Sequence, residues 1–192
     1  MALVNMKDML SEARKEKRAV GAFNTANYEL SRAILQAAEA ENQPVIIQLY
    51  MRLFDSEKAY DLCGMLQRLA TRAKVPVALH LDHGATIKQA KDALAWGYTS
   101  VMYDGSRDPF AKNVQDTAFV AQYAHAVGAT CEGEIGHVAH RYAADVLFQK
   151  KRRERAAKLF FCFPYSTVFG FPFCHLSGSS CVGLLFIRHL RL

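Results

Sequence analysis

From residue 20 to about residue 135, short apolar runs alternate with longer segments of helical periodicity. The runs fall at 20–23, 44–49, 77–81, 99–103 and 129–135, four to seven residues each. That is the length of strands buried on both faces of a parallel sheet. Between them, residues 27–41 set Leu30, Ala33, Ile34 and Ala37 on one helical face, and 54–72 do the same with Tyr60, Cys63, Leu66 and Leu69. Residues 87–96 and 109–127 continue the pattern. Pro109 suits a first helical turn, and Gly97 and Gly128 suit helix ends. Strict strand–helix alternation predicts right-handed βαβ units, a parallel sheet, and helices stacked on its outer side if it curls. The pattern fits a doubly wound open sheet or part of an eight-stranded barrel. No GxGxxG follows the first run, which weakens the dinucleotide-binding form of the open sheet.

After about Val138 the grammar changes. Residues 149–155 read QKKRRER, and seven of the twelve phenylalanines fall in the last 42 residues. Neither a period of 2 nor one of 3.6 survives there. The apolar stretch 159–173 is interrupted by Pro164, Gly170 and Pro172, so it does not read as a membrane span. The expectation is an irregular tail over 139–192 that does not continue the pattern, as a shifted reading frame or a misplaced end would give. Charge marks the same division. Residues 1–150 carry 17 charges of each sign, and the net +6 belongs to the tail. With no basic patch and interleaved aromatics in 1–150, nucleic-acid binding is not expected. The five cysteines form no CxxC pair and the N-terminus has no apolar leader core, so the reading is cytoplasmic, without a disulfide framework.

The densest polar cluster is Val77-Ala-Leu-His-Leu-Asp-His-Gly84, an apolar strand ending in His80, Asp82 and His83. Alternation sends His80 and Asp82 to one face and His83 to the other, unless the chain turns at Asp82, which Gly84 would permit. An imidazole suits a divalent metal and a neighbouring carboxylate suits proton transfer. Helix capping by Asp82 is the plain alternative. The next run ends in Asp104-Gly105, and the one after it carries Glu132 and Glu134. Carboxylates inside apolar strands are costly unless paired or metal-bound. Three successive strand ends of this kind point to a site at one rim.

Residues 21–29 (GAFNTANYE), 76–84 (PVALHLDHG), 97–114 (GYTSVMYDGSRDPFAKNV) and 132–138 (EGEIGHV) closely resemble the class II fructose-bisphosphate and tagatose-bisphosphate aldolases, collinearly over 1–138. The resemblance implies a (β/α)₈ TIM barrel, here its first five β/α units followed by the irregular tail. It implies reversible, zinc-dependent aldol cleavage of a ketose 1,6-bisphosphate to glycerone phosphate and glyceraldehyde 3-phosphate. His83 matches a zinc histidine. Asp82 matches the acid that moves a proton during carbon–carbon cleavage. Asp104 and Glu134 match carboxylates of a second or alternative divalent-metal position, and Asn24 a substrate-side asparagine. Members of the family are homo-oligomers; neither nucleic acid nor membrane is implied as a partner. The departures are equally specific. The motifs stop at Val138, and His137, His140, His175 and His189 match neither of the two remaining zinc histidines. The glycine-rich phosphate loops are missing, and Tyr50 stands where many members carry a small hydroxyl residue. A truncated, non-catalytic aldolase fragment is therefore the alternative reading.

Overall fold

The computed structural model describes residues 2–136 and the backbone of Val182–Leu184. A helix not anticipated from the sequence comes first: α1, Met6–Lys15. The Asn5 side chain accepts from the Lys7 N–H at 3.1 Å to cap it. Asp8 in its first turn and Arg14 and Lys15 in its last complement the helix dipole. Five parallel strands follow: β1 (Gly21–Asn24), β2 (Val45–Tyr50), β3 (Val77–Gly84), β4 (Ser100–Tyr103) and β5 (Thr130–Gly133). Between them run α2 (Tyr28–Ala40), the short α3 (Met51–Phe54), α4 (Ala59–Arg72), α5 (Ile87–Ala95) and α6 (Phe110–Ala126). A sixth strand, β6 (Val182–Leu184), pairs antiparallel with β1, giving the order β5-β4-β3-β2-β1-β6. The remainder of the tail, with its histidines and the boundary at 138, lies outside the described residues. No helix among the described residues is long and apolar enough to cross a membrane.

Local chemistry sets the helix limits. Asn27 caps α2 by accepting from the Leu30 N–H at 2.9 Å, and Thr86 caps α5 by accepting from the Gln89 N–H at 3.1 Å. Gly97 (φ +90°) and Gly128 (φ +77°) take the left-handed conformation just past α5 and α6, as their positions predict. Pro109 sits one residue earlier than expected, at the N-cap of α6.

Strand alternation sorts the apolar residues into two cores. Outward-facing Val45, Ile47, Leu49, Val77, Leu79, Leu81 and Val101 pack under the helices with Leu35, Cys63, Leu66 and Ala90. Inward-facing Ala22, Ile46 and Ala78 meet Val20 and the Met6, Met9 and Ala13 face of α1. That helix closes the amino end of the sheet. Its lead-in is fixed by an isolated bridge between Leu3 and Val77.

Candidate active site

Above the layer closed by α1, the inner face turns polar. In register across the strands stand Asn24, Gln48, His80, Ser100 and Thr130. His80 is fully buried. Its Nδ1 lies 2.8 Å from Ser100 Oγ, and its Nε2 3.6 Å from the Glu132 carboxylate. Burial pushes the His80 imidazole down to about 4 and, with Asp82 nearby, pushes the Glu132 carboxyl up to about 8. Both groups are thus shifted toward their uncharged forms.

At the carboxyl rim the sheet departs from simple alternation. Leu81 pairs with Val101 and Gly84 with Tyr103, so Asp82 and His83 together stand opposite Met102. This bulge has His83 in the left-handed region at φ +54°. It carries the imidazole to the same rim as Asp82, with His83 Nε2 4.0 Å from Asp82 Oδ1. Simple alternation would send His83 to the opposite face, and the exception that Gly84 would permit, a turn at Asp82, falls instead at His83. Gly84 serves instead for close approach: a Cβ there would lie 2.6 Å from the Met102 carbonyl oxygen.

Five strand ends contribute to this point. His83 Nδ1 is 3.0 Å from Asp104 Oδ2 and 3.4 Å from Glu134 Oε2. Asp104 is aimed by Ser106, whose backbone N–H and hydroxyl both donate to Oδ1 at 3.1 and 2.5 Å. Glu134 is held from its backbone, where Asn113 Nδ2 donates to the carbonyl oxygen at 2.7 Å. Asp82 accepts from Asn24 Nδ2 at 2.9 Å on one oxygen and from Gln48 Nε2 at 3.3 Å on the other. The Asp104 and Glu134 carboxylates raise the His83 imidazole to about 11. Burial opposes ionisation of Asp104, but hydrogen bonds from His83 and Ser106 outweigh it and bring the carboxyl down to about 2.

The donor set suits a divalent cation. One ligand atom each from His83, Asp104 and Glu134 lies within 4.8 Å of the others. Imidazole and carboxylate are zinc donors, and three protein ligands are the number catalytic zinc sites use. Glu134 Oε2 is buried without a hydrogen bond. His83 Nδ1 lies nearer to Asp104 Oδ2 than to Glu134 Oε2, at 3.0 against 3.4 Å. Binding a metal there would displace the imidazolium proton.

Asn24, Asp82, His83, Asp104 and Glu134 are thus brought to one rim. His137, His140, His175 and His189 lie outside the described residues. Sequence reasoning missed Gln48, Ser100 and Ser106. Gln48 had a usable signal: a lone amide in the run Val45-Ile-Ile-Gln-Leu-Tyr50, on the face that strand parity shares with Tyr50.

Known proteins resemble this chain in sequence and in fold. Residues 4–158 match the family described as fructose-bisphosphate aldolase class-II. The fructose-bisphosphate aldolase of Geobacillus stearothermophilus is 44% identical over 147 residues, covering 72% of this chain and 49% of the relative. The 6-phospho-5-dehydro-2-deoxy-D-gluconate aldolase of Halalkalibacterium halodurans is 45% identical over 141 residues, with the same coverage of 72% and 49%. The crystal structure of the YdjI aldolase from Escherichia coli K12 superposes with a TM-score of 0.67 at 29% identity, over 70% of this chain and 51% of that one. The fructose-bisphosphate aldolase from Campylobacter jejuni shares the fold at a TM-score of 0.63 and 24% identity, over 70% and 47%. The chain spans about half the length of the curated relatives it matches. Motifs, five parallel β/α units of TIM-barrel type and these matches agree: the chain belongs to the class-II fructose-bisphosphate aldolase family.

Proposed function

We propose that this site serves metal-dependent aldol chemistry on a phosphorylated ketose. The reaction is reversible cleavage of fructose or tagatose 1,6-bisphosphate between carbons 3 and 4, giving glycerone phosphate and glyceraldehyde 3-phosphate. The observation that carries the reading is the convergence of His83, Asp104 and Glu134 within 4.8 Å, beside the Asp82 carboxylate. These three residues would hold zinc, and the two carboxylates offer oxygen donors for a second or alternative divalent ion. A bound divalent ion supplies positive charge at the substrate's carbonyl oxygen. Asp82 takes the proton from the hydroxyl on carbon 4 as the carbon–carbon bond breaks and that oxygen becomes the aldehyde carbonyl. The electron pair remains on carbon 3, conjugated with the carbonyl at carbon 2, until a proton returns to carbon 3. In the condensation direction Asp82 gives its proton back. Asn24 and Gln48 fix the Asp82 carboxylate, and the buried, unbonded Asn24 Oδ1 is available to a substrate hydroxyl. Cytoplasmic carbohydrate metabolism is the setting that suits this chemistry.

A second reading keeps the site but drops turnover: a non-catalytic fragment of an aldolase. The chain spans about half the length of the curated relatives it matches, and a full (β/α)₈ barrel takes roughly 250 residues. Zinc titration of the 192-residue chain, followed by an assay coupled to glycerone phosphate formation, separates the two. We expect zinc affinity to fall by about tenfold or more in His83→Ala. Stoichiometric zinc with turnover that vanishes in this variant supports the enzyme. Weak, non-stoichiometric zinc without turnover supports the fragment. Zinc binding indifferent to His83→Ala overturns the site.

A further inference from the structure

Tyr50 ends β2 in cross-strand register with Asp82, two residues beyond Gln48 on the same inward face. It is half-buried, and its ring meets the His83 ring edge-on, with centroids 6.1 Å apart and an interplanar angle of 84°. The ring therefore stands beside the His83 imidazole at the carboxyl rim, on the strand next to Asp82. Its backbone is braced. Tyr50 leads into α3, and Asp55 at the end of α3 accepts from Gln89 Nε2 on both carboxylate oxygens, at 2.7 and 2.8 Å. The other end of that amide, Gln89 Oε1, accepts from the Ala85 N–H at 2.8 Å, two residues past His83. One glutamine thus ties the segment carrying Tyr50 to the segment carrying the imidazole. Phe54, stacked on Trp96 at 4.6 Å, pins the same short helix from the other side.

We propose that Tyr50 determines specificity for the configuration of the substrate carbon whose hydroxyl Asp82 deprotonates. This rests on the aldolase reading above. A phenol both donates and accepts hydrogen bonds and keeps a fixed geometry with few rotatable bonds. Its strand partner acts on the carbon 4 hydroxyl, so its own hydroxyl meets that hydroxyl in one configuration and misses it in the other. Fructose and tagatose 1,6-bisphosphate differ at that carbon. Glycerone phosphate, which corresponds to carbons 1–3, lacks it altogether.

The test compares wild type and Tyr50→Phe as zinc-loaded full chains, measuring dissociation constants for the two bisphosphates and for glycerone phosphate by calorimetry or phosphorus NMR. The expected wild type favours one epimer. The phenylalanine variant should lose that preference by roughly fivefold, the worth of one hydrogen bond, with glycerone phosphate and zinc affinities unchanged. An unaltered epimer ratio overturns the proposal, and so does a parallel loss for all three ligands, which would mark a merely structural ring. A wild type that binds zinc but neither bisphosphate removes the aldolase reading itself, and this proposal with it. Wild-type binding with an unmoved ratio removes the Tyr50 assignment alone.

Discussion

A histidine at φ +54° holds a conformation that costs an L-residue with a side chain about 1 kcal/mol or more. At His83 the cost is offset by the Asp104 and Glu134 carboxylates that the turn brings the imidazole to meet. Removing the ring while varying only the backbone demand isolates the strain. His83→Ala and His83→Gly should both weaken metal binding by about tenfold or more and leave the carboxylates facing one another. His83→Gly should nevertheless be more stable by about 1 kcal/mol in urea titrations, because glycine tolerates the left-handed region. Equal stabilities would mean that the turn stores no strain. A second residue-scale consequence follows at Cys63, whose Sγ donates to the Trp96 carbonyl at 3.2 Å. Burial pushes the thiol up to about 12 from an ordinary 9.0. A raised folded value means that the stabilisation is complete below the unfolded value and is lost as pH climbs from 9 toward 12. Iodoacetamide at pH 8 should leave the Cys63 peptide unmodified in the native protein and label it in urea, as peptide mapping would show.

At the scale of elements, the bulge in β3 is where sequence and structure part. Parity rightly separated the outward Leu79 and Leu81 from the inward His80 and Asp82. It could not say that Asp82 and His83 would share one position opposite Met102, because a bulge carries no period of its own. The resemblance supplied what alternation withheld. The α1 helix is hard to read from the sequence because its apolar stripe of Met6, Met9, Leu10 and Ala13 stands within a charged stretch. Its partner surface becomes visible only once Ile46 and Ala78 are brought together. The Gln48 amide was hidden for a related reason: a single polar residue in an apolar strand reads as noise until the neighbouring strand places Asp82 beside it. Gly84 is the most exacting position in the bulge. Gly84→Ala would press a methyl carbon against the Met102 carbonyl oxygen, a backbone atom with no rotamer to yield. The expected cost is about 1–3 kcal/mol in thermal or chemical denaturation, typical of overpacking. Loss of metal affinity should accompany it, since the neighbouring residue is His83.

For the molecule as a whole, the register divides labour along the strand axis. The amino end of the sheet is apolar and shut by α1, while toward the carboxyl end lie the buried His80, Asp82 and Glu134. Stability and chemistry thus occupy opposite ends, as the general rule for such barrels holds. The bridge from Leu3 to Val77 joins residues 74 positions apart, and Asn5 reaches further, its Nδ2 donating to the Gly128 carbonyl oxygen ahead of β5. Closing so large a loop costs entropy that α1 alone cannot recover before its seat exists. The α1 helix should therefore be among the last elements to dock. It must wait until β2 and β3 are paired beneath it. In pulsed hydrogen exchange during refolding, the amides of Val4 and Val77, which bond across this bridge, should become protected after those linking β2 to β3. Simultaneous protection would mean that the floor of the sheet is laid together with its strands.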